Sequence, residues 1–191
     1  MASKSLLESI NPKGHLEIIK KYSDGHEETV LSDHNVITAG LGVTLASLFA
    51  TNSPTADVTD FNINYFQIGT TSSTMVSSIA ELAAPINVAN YGNSDLTLAT
   101  INVAVVGADK VQTAAVINPI YISKTPPSKV TYSLVLEEAA ADEVVIKEIG
   151  LFSKNPLQAD PTKSYLCAYR SFSGISKNGS FALIFKWTLE F

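Results

Sequence analysis

Along residues 181–191 apolar and polar side chains alternate with a period of two. Phe181, Leu183, Phe185, Trp187, Leu189 and Phe191 fall on one set of positions, and Ala182, Ile184, Lys186, Thr188 and Glu190 on the other. That period throws the two sets onto opposite faces of a strand. At roughly 25 cal/mol per Å² of apolar area, covering a face of aromatics and leucines is worth several kcal/mol. The segment is therefore expected to be a long strand with one face in the core, flanked on both sides by strands that arrive earlier in the chain.

The same alternation marks residues 15–22 and 27–31, which are separated by Asp24-Gly25. A glycine that takes positive φ without strain between two β-like runs predicts a hairpin. The Lys20/Lys21 and Glu27/Glu28 pairs lie on opposite arms near the turn, where cross-strand attraction adds a few tenths of a kcal/mol. Further strands are expected over 61–69, 96–106, 111–117, 130–137, 144–152 and 164–170, with breaks at Gly92-Asn93, Gly107-Ala-Asp109, Thr125-Pro-Pro-Ser128, Asn155-Pro156, Asp160-Pro161 and Lys177-Asn-Gly179.

The period changes to that of a helix over residues 38–50. Leu41, Leu45, Leu48 and Phe49 share one helical face and Thr38 suits the N-cap. Gly40 and Gly42 weaken a helix by about 1 kcal/mol each, so they are expected to serve close packing against a sheet. Ser78-Ile-Ala-Glu81 has capping-box spacing and predicts one helical turn ending before Pro85. Many strands without alternating helices mean a mainly β fold, an antiparallel β-sandwich or jelly roll, with a single main helix at about 38–50. With no internal repeat and no low-complexity linker, residues 13–191 read as a single β-sandwich domain. Residues 1–12 read as an N-terminal arm, in which Leu6, Leu7 and Ile10 lie on a short, weakly helical segment.

Composition sharpens this picture. Of 191 residues, 46% are hydrophobic and 16% charged, against roughly 25% charged in average proteins. A net charge of −5 argues against nucleic acid as a partner, because phosphate contacts need a Lys/Arg surplus. Cys167 is the only cysteine, which excludes an intrachain disulfide; set in an apolar strand pattern, it reads as a small core residue. No apolar run reaches the roughly 18 residues of a membrane span and no secretory h-region opens the chain, so the expected setting is the cytoplasm, without a membrane.

Candidate chemistry is sparse. His26-Glu27-Glu28 with Asp33-His34 lacks the helical spacing of a zinc motif and reads as solvated turn residues. Gly40-Leu-Gly42 lacks the third glycine and the Lys-Ser/Thr ending of a phosphate loop. No two glycines are four apart, which removes the nucleophile elbow. Glu137/Glu138 and Asp142/Glu143 flank Ala139-Ala-Ala141 and read as the solvated rim of a connection rather than a glycosidase pair. Asn90-Tyr-Gly-Asn-Ser-Asp95 has one carboxylate and reads as an Asx-rich turn rather than a calcium loop. Tyr65, Phe66, Tyr91 and Tyr121 are the aromatics that a carbohydrate site would need. No catalytic residues, cofactor or metal ligands are expected, and the chain is not read as an enzyme.

Taken in order, Val36-Ile-Thr-Ala-Gly-Leu-Gly-Val-Thr-Leu-Ala-Ser-Leu-Phe49, Tyr65-Phe-Gln-Ile-Gly-Thr70, Ile79-Ala-Glu-Leu82, Ile146-Lys-Glu-Ile-Gly-Leu-Phe152, Tyr165-Leu-Cys-Ala-Tyr-Arg170, Ile175-Ser-Lys177 and Leu183-Ile-Phe-Lys-Trp-Thr188 resemble a family of tailed-bacteriophage virion proteins. These are small baseplate or neck components and the collar-type N-terminal domain of tail fibres. The resemblance runs over about 36–188 and rests on the order and spacing of short motifs. It implies a β-sandwich acting as an assembly part of the virion, made in the host cytoplasm, with other virion proteins and copies of itself (a trimer or ring) as partners. Fibre proteins of this kind continue into a shaft, whereas here a hairpin and an arm precede the matching segments. That favours an adaptor or anchor, with Leu6, Leu7 and Ile10 inserting into an adjacent subunit. The alternative is a carbohydrate-binding or receptor-binding sandwich facing the host.

Overall fold

The structure is a computed structural model that describes residues 12–50, 61, 63–86, 99–100, 129–139, 141, 143–153 and 164–191. It is mainly β, with antiparallel strands and one helix among the described residues. In chain order these are β1 (Lys13–Tyr22), β2 (Glu27–Ile37), α1 (Ala39–Ala50), β3 (Ile63–Gly69), β4 (Ala99–Thr100), β5 (Lys129–Leu136), β6 (Val145–Ser153), β7 (Tyr165–Ser176) and β8 (Phe181–Glu190). The strands are joined edge to edge in the order β4-β3-β6-β7-β2-β1-β8-β5.

This ribbon folds into two facing halves. One holds β5, β8, β1 and most of β2; the other holds β7, β6, β3 and β4. β2 belongs to both: it pairs with β1 between Glu27 and Asn35, then with β7 through Val36–Tyr169 and Ile37–Ala168. Between the halves lies one core that takes Leu16 and Ile18 from β1, Phe66 and Ile68 from β3, Ile149 and Leu151 from β6, and Leu183, Phe185, Trp187 and Leu189 from β8. The Trp187 and Phe66 ring centroids lie 6.1 Å apart across it. The arrangement is sandwich-like, as the strand pattern predicts.

β8 is the central strand of its half, in register with β1 on one side and β5 on the other. Phe181, Leu183, Phe185, Trp187 and Leu189 are buried, while Phe191 lies past the strand's last paired residue and is exposed. Expectation and structure differ only at that terminal aromatic. On the outer face Thr131 and Thr188 meet hydroxyl to hydroxyl at 2.9 Å and Lys129 pairs with Glu190 at 2.9 Å. A polar, solvated outer face is the usual state of an antiparallel sheet covered on one side.

The β1–β2 hairpin closes at Asp24-Gly25. Gly25 sits at φ +85°, and its N–H donates to the Tyr22 carbonyl at 2.9 Å. Lys20 lies opposite Glu28 with charges 3.7 Å apart. β2 runs on six residues past its expected end at Leu31, up to the helix. The strands expected over 96–106 and 111–117 fall outside the described residues except for Ala99–Thr100, which is strand β4.

The helix is where expected, but only its N-terminal half packs against the sheet. Leu41 and Thr44 are buried and Leu45 partly so, whereas Leu48 and Phe49 are exposed. The cause lies at the start of α1. A Cβ on Gly40 would overlap the Leu166 carbonyl oxygen of β7, so only glycine allows this approach; Gly42 has open space around it. With Gly40 against β7, Thr44 one turn on faces the same way, and its hydroxyl meets Ser153 Oγ at 2.6 Å. Thr38 also departs from its expected cap role, because its hydroxyl donates to the Leu166 carbonyl rather than accepting from the helix.

Residues 78–81 form no helical turn. The stretch from 70 to 86 is an irregular strap across β7. It returns to β3 through Thr70 N–H to Ala84 O at 3.0 Å and Ile86 N–H to Ile68 O at 2.9 Å. The amides of Ala83 and Ala84 are drawn to the sheet, and the group that draws them is Glu148.

Candidate functional site

Polar side chains at buried positions must find partners. Glu148 of β6 is fully buried. Its carboxylate accepts Ala84 N–H at 2.8 Å, Ala83 N–H at 3.2 Å and the Tyr169 hydroxyl at 2.8 Å. The Tyr169 oxygen in turn accepts Ser73 N–H at 3.0 Å. Burial, and then the neighbouring carboxylate, push the Tyr169 phenol above its ordinary pKa, against the Ser73 bond. With three strap amides held by the Glu148–Tyr169 pair, this group acts as a structural clamp.

Lys177 is also buried. Its ammonium donates to the carbonyls of Glu138 at 2.6 Å and Asn178 at 2.8 Å, and lies 5.3 Å from the Phe181 ring centroid. It ties the β5–β6 connection, with Ala141 and Glu143 at positive φ, to the β7–β8 turn. Cys167 is fully buried, and burial raises its thiol pKa, as expected for a core residue. Arg170 donates to the His34 carbonyl at 2.6 Å and pairs with Asp33 at 2.7 Å. The His34 N–H bond and the Arg170 charge hold the Asp33 carboxyl below its usual pKa.

The histidine–acid cluster does not come together. His26 stands in the hairpin turn with its ring stacked on Tyr22. His34 meets His15 edge-on, far along the same hairpin, and Asp33 is held by Arg170. Among the described residues no group of three or more His, Cys, Asp or Glu is placed to hold a metal ion. Glu138 contributes its backbone carbonyl to Lys177, and Asp142 lies outside the described residues. Of the aromatics considered for sugar binding, Phe66 is fully buried, while Tyr91 and Tyr121 lie outside the described residues. So do Leu6, Leu7 and Ile10.

The feature with functional character is an apolar surface. Phe49 is 87% exposed at the end of α1, and Val43 and Leu48 are exposed on the same helix. The Ala39 N–H donates to the Ser77 carbonyl at 2.8 Å, which brings the exposed Met75 and Val76 beside the first turn. Sequence periodicity found Leu48 and Phe49 but placed them on the helix face shared with Leu41 and Leu45; Val43 was not singled out. Glu148, Lys177 and Arg170 were missed as structural groups, although each carries a readable signal: a charged residue within or beside an apolar alternating run. No family model, no curated protein and no solved structure matches the chain.

Proposed function

We propose that this chain is a structural component of a tailed-bacteriophage virion, an adaptor or anchor of the tail, baseplate or neck. It works through contacts with copies of itself and with other virion proteins. The resemblance over 36–188 supplies the family. The physical observation that carries the reading is the exposed apolar end of α1, Leu48 and Phe49, with Phe49 at 87% exposure. Burying a phenylalanine is worth about 1.5–3 kcal/mol, and surfaces that neighbouring subunits cover are depleted in charge, as this sequence is.

Incorporation into particles tests the reading. The variants Leu6→Ser/Leu7→Ser/Ile10→Ser and Phe49→Ser are expected to fold, by circular dichroism and thermal melting, yet to be missing from purified virions. Wild-type levels of both in particles would count against an assembly role for these surfaces. The receptor-binding alternative loses Phe66 as a contact, and no described residue favours it.

A further inference from the structure

β2 and β7 are paired only at Val36–Tyr169 and Ile37–Ala168. From that junction the two strands diverge. The register of β7 against β6 slips between the pairs Glu148–Ser171 and Ile146–Ile175, so β7 carries extra residues there, and Gly174 takes φ +119°. A bulge of this kind bends its strand. The result is a V-shaped cleft of about 260 Å³ with Val30 and Leu31 on one side, Phe172 and Ile175 on the other, and Lys20 at its rim.

Both walls are strand edges. β2 pairs with β1 on its far side from Glu27 to Asn35, and β7 pairs with β6 on its far side. Among the described residues neither has a strand partner across the cleft beyond the junction. At the closed end Arg170 fills the gap with a side chain, donating to the His34 carbonyl of β2. Two facing strand edges with apolar side chains between them are the receptor for an extended peptide, which pairs by its backbone and seats alternate side chains.

We infer that this cleft receives residues 5–10 of a second copy of the chain as an added strand, an inference that rests on the assembly reading above. Once held between two strand edges, the segment is extended whatever its helical tendency when free. Leu6, Glu8 and Ile10 then share a face, which sets two apolar side chains against Val30, Leu31, Phe172 and Ile175 and a carboxylate toward Lys20. Other long stretches outside the described residues attach elsewhere: 87–98 and 101–128 adjoin β4 and β5, at the two ends of the strand order, 51–60 follow α1, and 154–163 lead into β7 on the far side of the junction from the cleft. The donor is a neighbour because the chain's own residues 1–11 leave from Lys13, at the end that the β2–β7 junction closes. To enter by the open end they would first retrace ten-residue β1, about 33 Å at about 3.3 Å per residue. That uses most of the roughly 40 Å which residues 1–11 span when fully extended.

Disulfide trapping in the full-length chain tests this, since the native Cys167 is buried. Leu6→Cys is combined with Ser173→Cys, an exposed cleft residue, and oxidised with copper phenanthroline; chains carrying each substitution alone are also mixed. The expected result is a dimer and longer ladder on non-reducing gels, with dimers from the mixture. The control Leu6→Cys/Lys186→Cys, aimed at the solvated outer face, should link at least tenfold less. A monomer-sized cross-linked band, no link, or equal linking in the control would overturn the proposal. Any of these outcomes leaves the virion reading to the incorporation experiment, which reads particles rather than cross-links.

Discussion

The Trp187 indole N–H donates to Asn35 Oδ1 at 2.8 Å, joining β8 to β2 across the intervening β1. Trp187 is fully buried, so this side-chain acceptor is what satisfies its one polar atom. Asn35→Ala leaves that N–H unpaired, at an expected cost of about 1–3 kcal/mol in urea unfolding. Asn35→Asp keeps an oxygen in place and should cost less. A loss below about 0.5 kcal/mol for Asn35→Ala, the range of neutral surface changes, would contradict the role given to this bond.

Glu148 holds the strap of residues 70–86. Glu148→Ala orphans Ala83 N–H, Ala84 N–H and the Tyr169 hydroxyl, at about 1–3 kcal/mol for each group left without a partner or water. Glu148→Gln keeps the shape but turns one acceptor into a donor, so it should fall between wild type and alanine. Hydrogen exchange adds a spatial readout: the Ala83 and Ala84 amides should lose protection first. Unchanged exchange at those amides in Glu148→Ala would remove the clamp from the account.

Two neighbouring glycines should respond in opposite directions. Gly40→Ala drives a methyl into the Leu166 carbonyl and should destabilise by about 1–3 kcal/mol. Gly42→Ala meets open space and should stabilise by up to about 1 kcal/mol through helix propensity. Paired thermal melts decide this, and a shift of the same sign in both would show that α1 does not sit on β7 through Gly40.

Stability should fall at both extremes of pH for identified reasons. Burial raises the Tyr132 and Tyr169 pKa values in the folded state. Their contribution is therefore complete below the unfolded value near about 10 and is lost as pH rises toward the folded values. Asp33 is lowered, so its contribution is complete above the ordinary carboxylate pKa of about 4. It disappears as pH falls through the depressed folded value. Melting temperature measured against pH should thus be flat between about 5 and 9 as far as these groups act, and Asp33→Asn should blunt the acid decline. Tyrosinate absorbance that saturates before any unfolding at high pH would refute the alkaline half.

The strands were legible because their information is local. Alternation placed β1, β5, β6 and β8 to within a few residues, and Asp24-Gly25 announced the hairpin. What escaped was decided by contacts far apart in sequence. Leu41, Leu45, Leu48 and Phe49 do share a face, but the bearing of α1 is set by Gly40 meeting Leu166, which periodicity does not encode. Ser78 and Glu81 have capping spacing, yet the amides of Ala83 and Ala84 go to Glu148 on a strand formed over sixty residues later. The cleft between β2 and β7 was hidden for a similar reason: a bulge in one strand and an early divergence in another leave no signature in hydrophobic order.

β2 has one further consequence. β2 runs from Glu27 to Ile37 with one bulge at Val30, and Thr38 alone joins it to the first turn of α1. The hairpin tip and the exposed helix therefore lie at the two ends of one strand, with no loop between strand and helix to absorb a pull on either end.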